Sequence, residues 1–416
     1  MINDAADQGS AGAPYAQSDA LAAEPPGAYS GRGGLLPLAA RAVANIPAYI
    51  VAFVVAIGRR LPGSFRRHVW LILAILLYFA AGLGIGAYLG ASWSTSIELY
   101  LSTYAVIVPL MTMVLLAAHA LYIVVGLRPK RPLTLFLRDL RSDLATPERL
   151  ANAVPPLLFL LLFGGTFTLI KAAIPELHPF TWDPVFERWD RWLHGGVAPW
   201  ELLQPILGEP VVTSAVSWGY NLWFFFLSLT WVWQCFSLRN PGLRMQFFYT
   251  VVASWILLGN VAAIFLASAG PCYFGRVTGL PDPFLPLMTY LADADRSFRV
   301  WAIGAQEILW GSFRRQQLSL GAGISAMPSM HVAMATVFAL VGWRTARWIG
   351  IGMSAFLALI LVGSVHLGWH YAIDGYAGAL GAIAIWWVAG RLARITVPAA
   401  DAGRPAAAKL GAVAGG

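Results

Sequence analysis

Apolar and polar positions follow each other in long blocks along this chain. Stretches near the ~20 residues that a helix needs to cross a bilayer recur nine times, at 42–58, 69–91, 100–126, 155–174, 211–236, 247–268, 329–346, 349–368 and 373–390. The first is the weakest, because Arg41 truncates it, and it also fits a helix lying along the interface. Basic residues cluster in the connections: Arg59, Arg60, Arg66 and Arg67; Arg128, Lys130, Arg131, Arg138, Arg141 and Arg149; Arg239 and Arg244; Arg344 and Arg347; Arg391 and Arg394. With nine spans all five clusters fall on one side, which the positive-inside rule makes cytoplasmic. The opposite side receives 92–99, 175–210, 269–328 and the 366–374 turn.

Composition sharpens this reading. Apolar and aromatic residues make up 58% of the 416 positions and charged ones 12%, against about 25% charged in soluble domains. A net charge of +8 then reflects arginines flanking membrane spans, not a nucleic-acid partner. Cys235 and Cys272 fall on opposite faces, so no disulfide joins them. Residues 1–34 and 397–416 are rich in Ala, Gly and Pro and read as disordered tails, the first without the pattern of a signal peptide. Residues 175–210 interleave Trp182, Phe186, Trp189 and Trp192 with Asp183, Glu187, Arg188, Asp190 and Arg191, as expected of an amphipathic helix on the membrane surface. Residues 269–328 run for 60 positions without a clear span, long enough to suggest function.

Three of the seven histidines sit where spans meet the extracytoplasmic side. Pro328-Ser329-Met330-His331 opens the seventh span, and His366-Leu-Gly-Trp-His370-Tyr-Ala-Ile-Asp374 joins the eighth to the ninth. Ionisable groups at membrane depth are costly and mark functional sites. His370 and Asp374, four residues apart, share a face if the segment is helical. A carboxylate there holds one imidazole nitrogen as the donor and leaves the other free to act as base or nucleophile. His331, from another helix, can supply a proton, and a nucleophile with a separate acid suits displacement at phosphorus. The same pair also fits a buried polar clamp between helices. A metal site is the other alternative, but His366 and Asp374 lie roughly 12 Å apart on a continuous helix, so one ion reaches both only if the helix breaks at Gly368.

These residues resemble the second and third signatures of the type 2 phosphatidic acid phosphatase superfamily. Ala326-Met327-Pro328-Ser329-Met330-His331 and His370-Tyr371, followed by Asp374-Gly375-Tyr376-Ala377-Gly378, are closest to its bacterial inositol-phosphorylceramide-synthase-like branch, and the likeness covers roughly residues 155–392. It implies an all-α polytopic bundle: N-terminal helices and a basic loop over 35–150, about three helices in number, then a six-helix catalytic core over 151–396. It also implies cofactor-free, metal-independent transfer through a phosphohistidine, with His370 as nucleophile, Asp374 as its orienting partner and His331 as acid. Ser329 would offer its hydroxyl and N–H to phosphate, and it equally fits a simple helix cap. The expected substrates are phospholipids or sphingolipids, and the expected location is a bacterial inner membrane with the site on the extracytoplasmic face. Water as acceptor would make the enzyme a lipid phosphatase. A proton-coupled transporter is disfavoured, because the polar residues gather at one face.

Two features depart from the phosphatase pattern. No Lys stands seven residues before an Arg-Pro, and Gly363 and Ser364 occupy the places of the usual Ser-Arg before the third-signature histidine. The phosphate-binding cations must come from elsewhere, or the substrate is a less charged diester. Arg276, Arg314 and Arg315 are candidates, and His366 is a candidate substrate contact. His178 and His194 are expected at the interface, and His119 in packing. Tyr220 and Asn221 could reach a head group or be core polar residues. Gly375, Gly378 and Gly381 recur every three residues and point to close helix packing.

Overall fold

The computed structural model describes residues 46–90, 93–315 and 323–397. The expected tails lie outside the described residues, apart from Val397. Contacts divide the chain into units 1–52 and 53–416, and of the first only the beginning of one helix is described.

The architecture is all-α, with no strand among the described residues. In chain order the principal helices are α1 (Ile46–Gly58), α2 (Leu61–Arg67), α3 (Val69–Leu89), α4 (Trp93–Leu121), α5 (Pro132–Asp139), α6 (Pro147–Leu177), α7 (Asp183–Leu193), α8 (Pro199–Leu207), α9 (Pro210–Phe236), α10 (Pro241–Ile256), α11 (Leu285–Ser297), α12 (Trp301–Arg314), α13 (Met330–Thr345), α14 (Arg347–His366) and α15 (Ala372–Thr396). Local chemistry fixes many starts. Proline opens α6, α8, α9 and α10, where its missing N–H costs nothing. The side chains of Thr146, Asn240 and Ser329 accept from backbone N–H groups in the first turns of α6, α10 and α13.

Each of the nine apolar runs contains a long helix. Seven stretches are long and apolar enough to cross a membrane; α9 and α13 fall outside that set. Helix α9 carries Thr213, Ser217, Asn221 and Gln234, three of them buried. Helix α13 has only 16 residues, about 24 Å of helix against a hydrocarbon core of about 30 Å. It packs against α10, α14 and α15, and Val332–Ala339 are all buried. Protein rather than lipid surrounds this stretch. Gly378 of α15 makes the closest crossing: a Cβ there would lie 2.4 Å from the Ser329 carbonyl oxygen. The N-terminal α3 and α4 pack on α6, where Tyr100 hydrogen-bonds Thr168 at 2.8 Å. Tyr78 of α3 donates to Asn260 in the π-helical turn Leu257–Ala262.

Several segments expected on the cytoplasmic side meet at one end. The buried Arg244 guanidinium donates to the carbonyls of Gln234 (2.7 Å), Cys235 (3.2 Å) and Asn152 (3.1 Å) and to Nε2 of His68 (2.6 Å). Because arginine only donates, His68 accepts at Nε2 and donates from Nδ1 to the Ser64 carbonyl at 2.7 Å. One side chain thus closes the C-terminus of α9 and ties it to α6 and to the α2–α3 junction. Arg244→Met is expected to cost roughly 2–4 kcal/mol, because the acceptors stay buried without their donor. Thermal unfolding in detergent checks this, and an unchanged midpoint would refute it. Catalytic constants of the surviving folded fraction should be unaltered.

Candidate active site

The opposite end gathers the conspicuous histidines. Helix α14 stops at His366, and Gly368 (φ +71) turns the chain into a left-handed step that a side chain would strain. The following turn is held by Trp369 and His370 N–H groups donating to the Ser364 carbonyl at 2.9 and 3.1 Å. His370 therefore stands before α15 and not on a continuous helix as the spacing suggested. Its ring still meets the carboxylate one turn into α15: Nδ1 lies 3.3 Å from Oδ2 of Asp374, which also accepts from the Tyr371 N–H at 3.1 Å. Asp374 is fully buried, and its Oδ1 has no hydrogen-bond partner.

His331, in the first turn of α13, places its ring centroid 6.0 Å from that of His370. Trp223 packs on it at 4.4 Å and Tyr220 at 5.0 Å, while the Trp223 indole donates to the His331 carbonyl at 2.9 Å. Buried Ser329 caps α13, and its N–H donates to the Asp374 carbonyl at 2.9 Å, so the two motif segments are directly bonded. A narrow recess beside His370 is lined by Trp200, Pro271, Phe284, Leu287 and Val365. Two imidazoles facing each other, one backed by a carboxylate, at the start of two helices whose N–H groups favour anions, form a place where a phosphate could be attacked and its leaving oxygen protonated.

Residues 185–388 match the PAP2 superfamily. No curated protein and no solved structure matches the chain. Members of the PAP2 superfamily are generally phosphatases or phosphotransferases. The matched region spans just under half of the chain, from the first turn of α7 to near the end of α15, and contains His331, His370, Asp374 and Ser329.

Other candidates lie elsewhere in the structure. His366 is buried but turned toward α9 and α11: its Nε2 is 2.8 Å from the Thr213 hydroxyl, itself 2.5 Å from that of Tyr290. The helix break thus separates it from the His370 ring, which the spacing placed one turn away. Arg276 is already matched by Glu307 at 2.6 Å and lies over the Trp310 ring. Arg314 and Arg315 are exposed at the end of α12. His119 pairs with Asp139 at 3.3 Å, and His194 bridges the Asp190 carbonyl and the Tyr376 hydroxyl.

The largest revision concerns α7. A membrane-surface helix was expected, and one face fits: Trp189, Trp192 and Leu193 are exposed and form an apolar groove with Ile373. The other face belongs to the site. Asp183 accepts from the N–H groups of Ala269 and Gly270, both at 2.8 Å, and from the Tyr371 hydroxyl at 2.9 Å. Asp190 accepts from the N–H groups of Ala372 (2.9 Å) and Ile373 (3.0 Å), capping α15 from outside. Burial lifts both carboxyls above the usual range, and the backbone donors draw them back down. The signal was present in the sequence: Asp183, Phe186 and Asp190 stand at i, i+3 and i+7, on one face.

Lys171 of α6 was also missed. Its charge acts on both His331 and His370, and it lies outside the PAP2 match. Burial, and then the Lys171 charge, depress the His370 imidazole to about 3, with the Ala326 carbonyl drawing it partly back. The ring is then the free base at every pH well above 3, which is the form a nucleophile needs. As pH falls from 8 to 5, kcat/KM should accordingly show no His370 loss centred near the ordinary histidine value of about 6.5. A pH–rate profile that halves near 6.5 and follows His370 in variants would refute this.

Proposed function

We propose that the protein is a membrane-embedded lipid phosphotransferase that moves a phosphorylated head group from one lipid to another through a phosphohistidine on His370. The observation that carries the reading is the pairing of a carboxylate-backed His370 with the His331 ring 6.0 Å away, in a nearly dry site at one end of a membrane bundle. In the first step the free ring nitrogen of His370 attacks phosphorus, the bond to the leaving alcohol breaks, and His331 gives that oxygen its proton. Asp374 accepts the Nδ1–H of His370 and stabilises the positive ring that forms. In the second step an acceptor alcohol loses its proton to His331 and attacks the same phosphorus, and the P–N bond breaks.

Transfer is favoured over hydrolysis because the recess is narrow and lined mostly by apolar side chains, with Asp190 and Tyr371 among them, and His370 is only 6% exposed. A diester donor, such as an inositol phosphate lipid, fits the absence of the first-signature Lys and Arg-Pro and of the third-signature Ser-Arg, with Gly363 and Ser364 in the place of the latter. The loop charges favour a site on the extracytoplasmic face.

The test uses the full chain in detergent with a labelled glycerophospholipid donor, with and without diacylglycerol or ceramide. A new phospholipid that appears only with acceptor, and persists in EDTA, is the expected result. Release of water-soluble phosphate whatever the acceptor would make the enzyme a phosphatase.

A further inference from the structure

The phosphoryl-transfer reading leaves one requirement unmet: a cation for the phosphate. The motif that usually supplies it is absent, Arg276 is engaged by Glu307, and Arg314 and Arg315 stand exposed at the far end of α12. Lys171 stands apart from these. It lies six residues before the end of α6, in the otherwise apolar run Thr168-Leu169-Ile170-Lys171-Ala172-Ala173-Ile174, and is half-buried. Its backbone is fixed against the loop that leads into Ser329. Gly323 (φ +93) packs so closely there that a Cβ would lie 2.7 Å from the Lys171 carbonyl carbon and oxygen. A side chain at 323 is therefore barred twice, by conformation and by contact. Three residues beyond Gly323, Ala326 donates its N–H to the Ser268 carbonyl at 2.9 Å, tying the loop to the Ser268–Gly270 segment that Asp183 grips. Lys171 thus belongs to the frame around the two histidines, and both feel its charge.

Among the described residues no carboxylate pairs with the Lys171 ammonium and nothing hydrogen-bonds to it. A membrane-depth cation without an anion is costly. The groups that feel its charge are two imidazoles that, as nucleophile and acid, must hold a phosphate between them. From this placement, and resting on the proposed function, we infer that Lys171 is the phosphate-binding cation of the site, contributed by a helix outside the recognised domain. Its partner is a phosphoryl oxygen of the lipid head group, and the site is charge-balanced only when substrate is bound. A single lysine in place of a Lys–Arg–Arg set matches the single negative charge of a diester.

The experiment compares the purified full chain with Lys171→Met, Lys171→Arg and His370→Asn. Thermal unfolding is followed over a titration of inorganic phosphate, with chloride at matched ionic strength as control. Phosphate is expected to stabilise the wild type and His370→Asn. Lys171→Met should weaken its apparent affinity at least tenfold, and Lys171→Arg should retain most of it. Without phosphate, Lys171→Met should unfold at or above the wild-type temperature, since an unpaired charge has been removed. Its kcat/KM for lipid transfer should fall about a hundredfold, as when one charge-stabilising donor is lost. Phosphate affinity unchanged in Lys171→Met, or a lowered unfolding temperature with affinity retained, would overturn the inference and make Lys171 a structural residue. No phosphate response in the wild type would overturn it as well. In each case persisting lipid turnover would leave the proposed function standing, whereas absence of turnover from any donor would remove that reading too.

Discussion

His370→Ala is expected to reduce lipid turnover about ten-thousand-fold, the scale on which a nucleophile–base pair fails when one member is lost. The site leaves no substitute. His366 is turned toward Thr213 and Tyr290, and His331 is stacked between Trp223 and Tyr220 with its backbone tied to the Trp223 indole. Rapid quenching with labelled donor should trap acid-labile, base-stable phosphate on the wild type and none on the variant. Asp374→Asn should retain some labelling but slow it strongly. An asparagine can turn an N–H toward His370 Nδ1, and the ring then presents the wrong nitrogen to phosphorus. His370→Asn separates chemistry from folding, because it can keep a hydrogen bond to the Asp374 carboxylate, which otherwise accepts only from the Tyr371 N–H. Wild-type turnover in either His370 variant would remove the phosphohistidine mechanism.

The second large effect falls on two carboxylates that act through the backbone around the site. Asp190→Ala strips two N–H groups at the buried start of α15 of their acceptor, and Asp183→Ala strips three donors. Each should cost about 2–4 kcal/mol. Because these bonds position Tyr371 and the turn carrying His370 and Asp374, kcat should fall about a hundredfold while KM changes little. Asp183→Asn and Asp190→Asn should be intermediate, since one amide group then faces a donor. Unfolding temperature and the separate kinetic constants read out the two parts. A loss of stability with wild-type kcat would make these carboxylates braces for the fold alone.

Much of this was legible in the sequence, for identifiable reasons. A membrane helix must satisfy its backbone internally and clothe itself in apolar side chains, so spans announce themselves by length. Helix α13 shows the limit: surrounded by protein, it needs neither full bilayer length nor strong hydropathy, and its motif located it better than its composition. His331, His370 and Asp374 were visible because polar groups at span ends are conspicuous. Asp183 and Asp190 were not, because acidic residues in a Trp-rich amphipathic stretch look the same whether they face water or backbone N–H groups. Lys171 was hidden for the opposite reason: one lysine near a span end resembles a side chain reaching for the surface. The bend at Gly368 could not be placed by spacing. Only the folded chain shows that His366 and His370 face different partners.

The Arg244 knot also bears on how the chain is made. Its acceptors, on His68, Asn152, Gln234 and Cys235, all precede it in the sequence, so every one of them has left the ribosome by the time Arg244 emerges. The guanidinium can shed its water against acceptors already in place. The helices α13 and α15, which carry His331 and Asp374, then pack on α10, the helix that bears Arg244. Lesions at residue 244 should surface as failed insertion and degradation before they surface as slow enzyme.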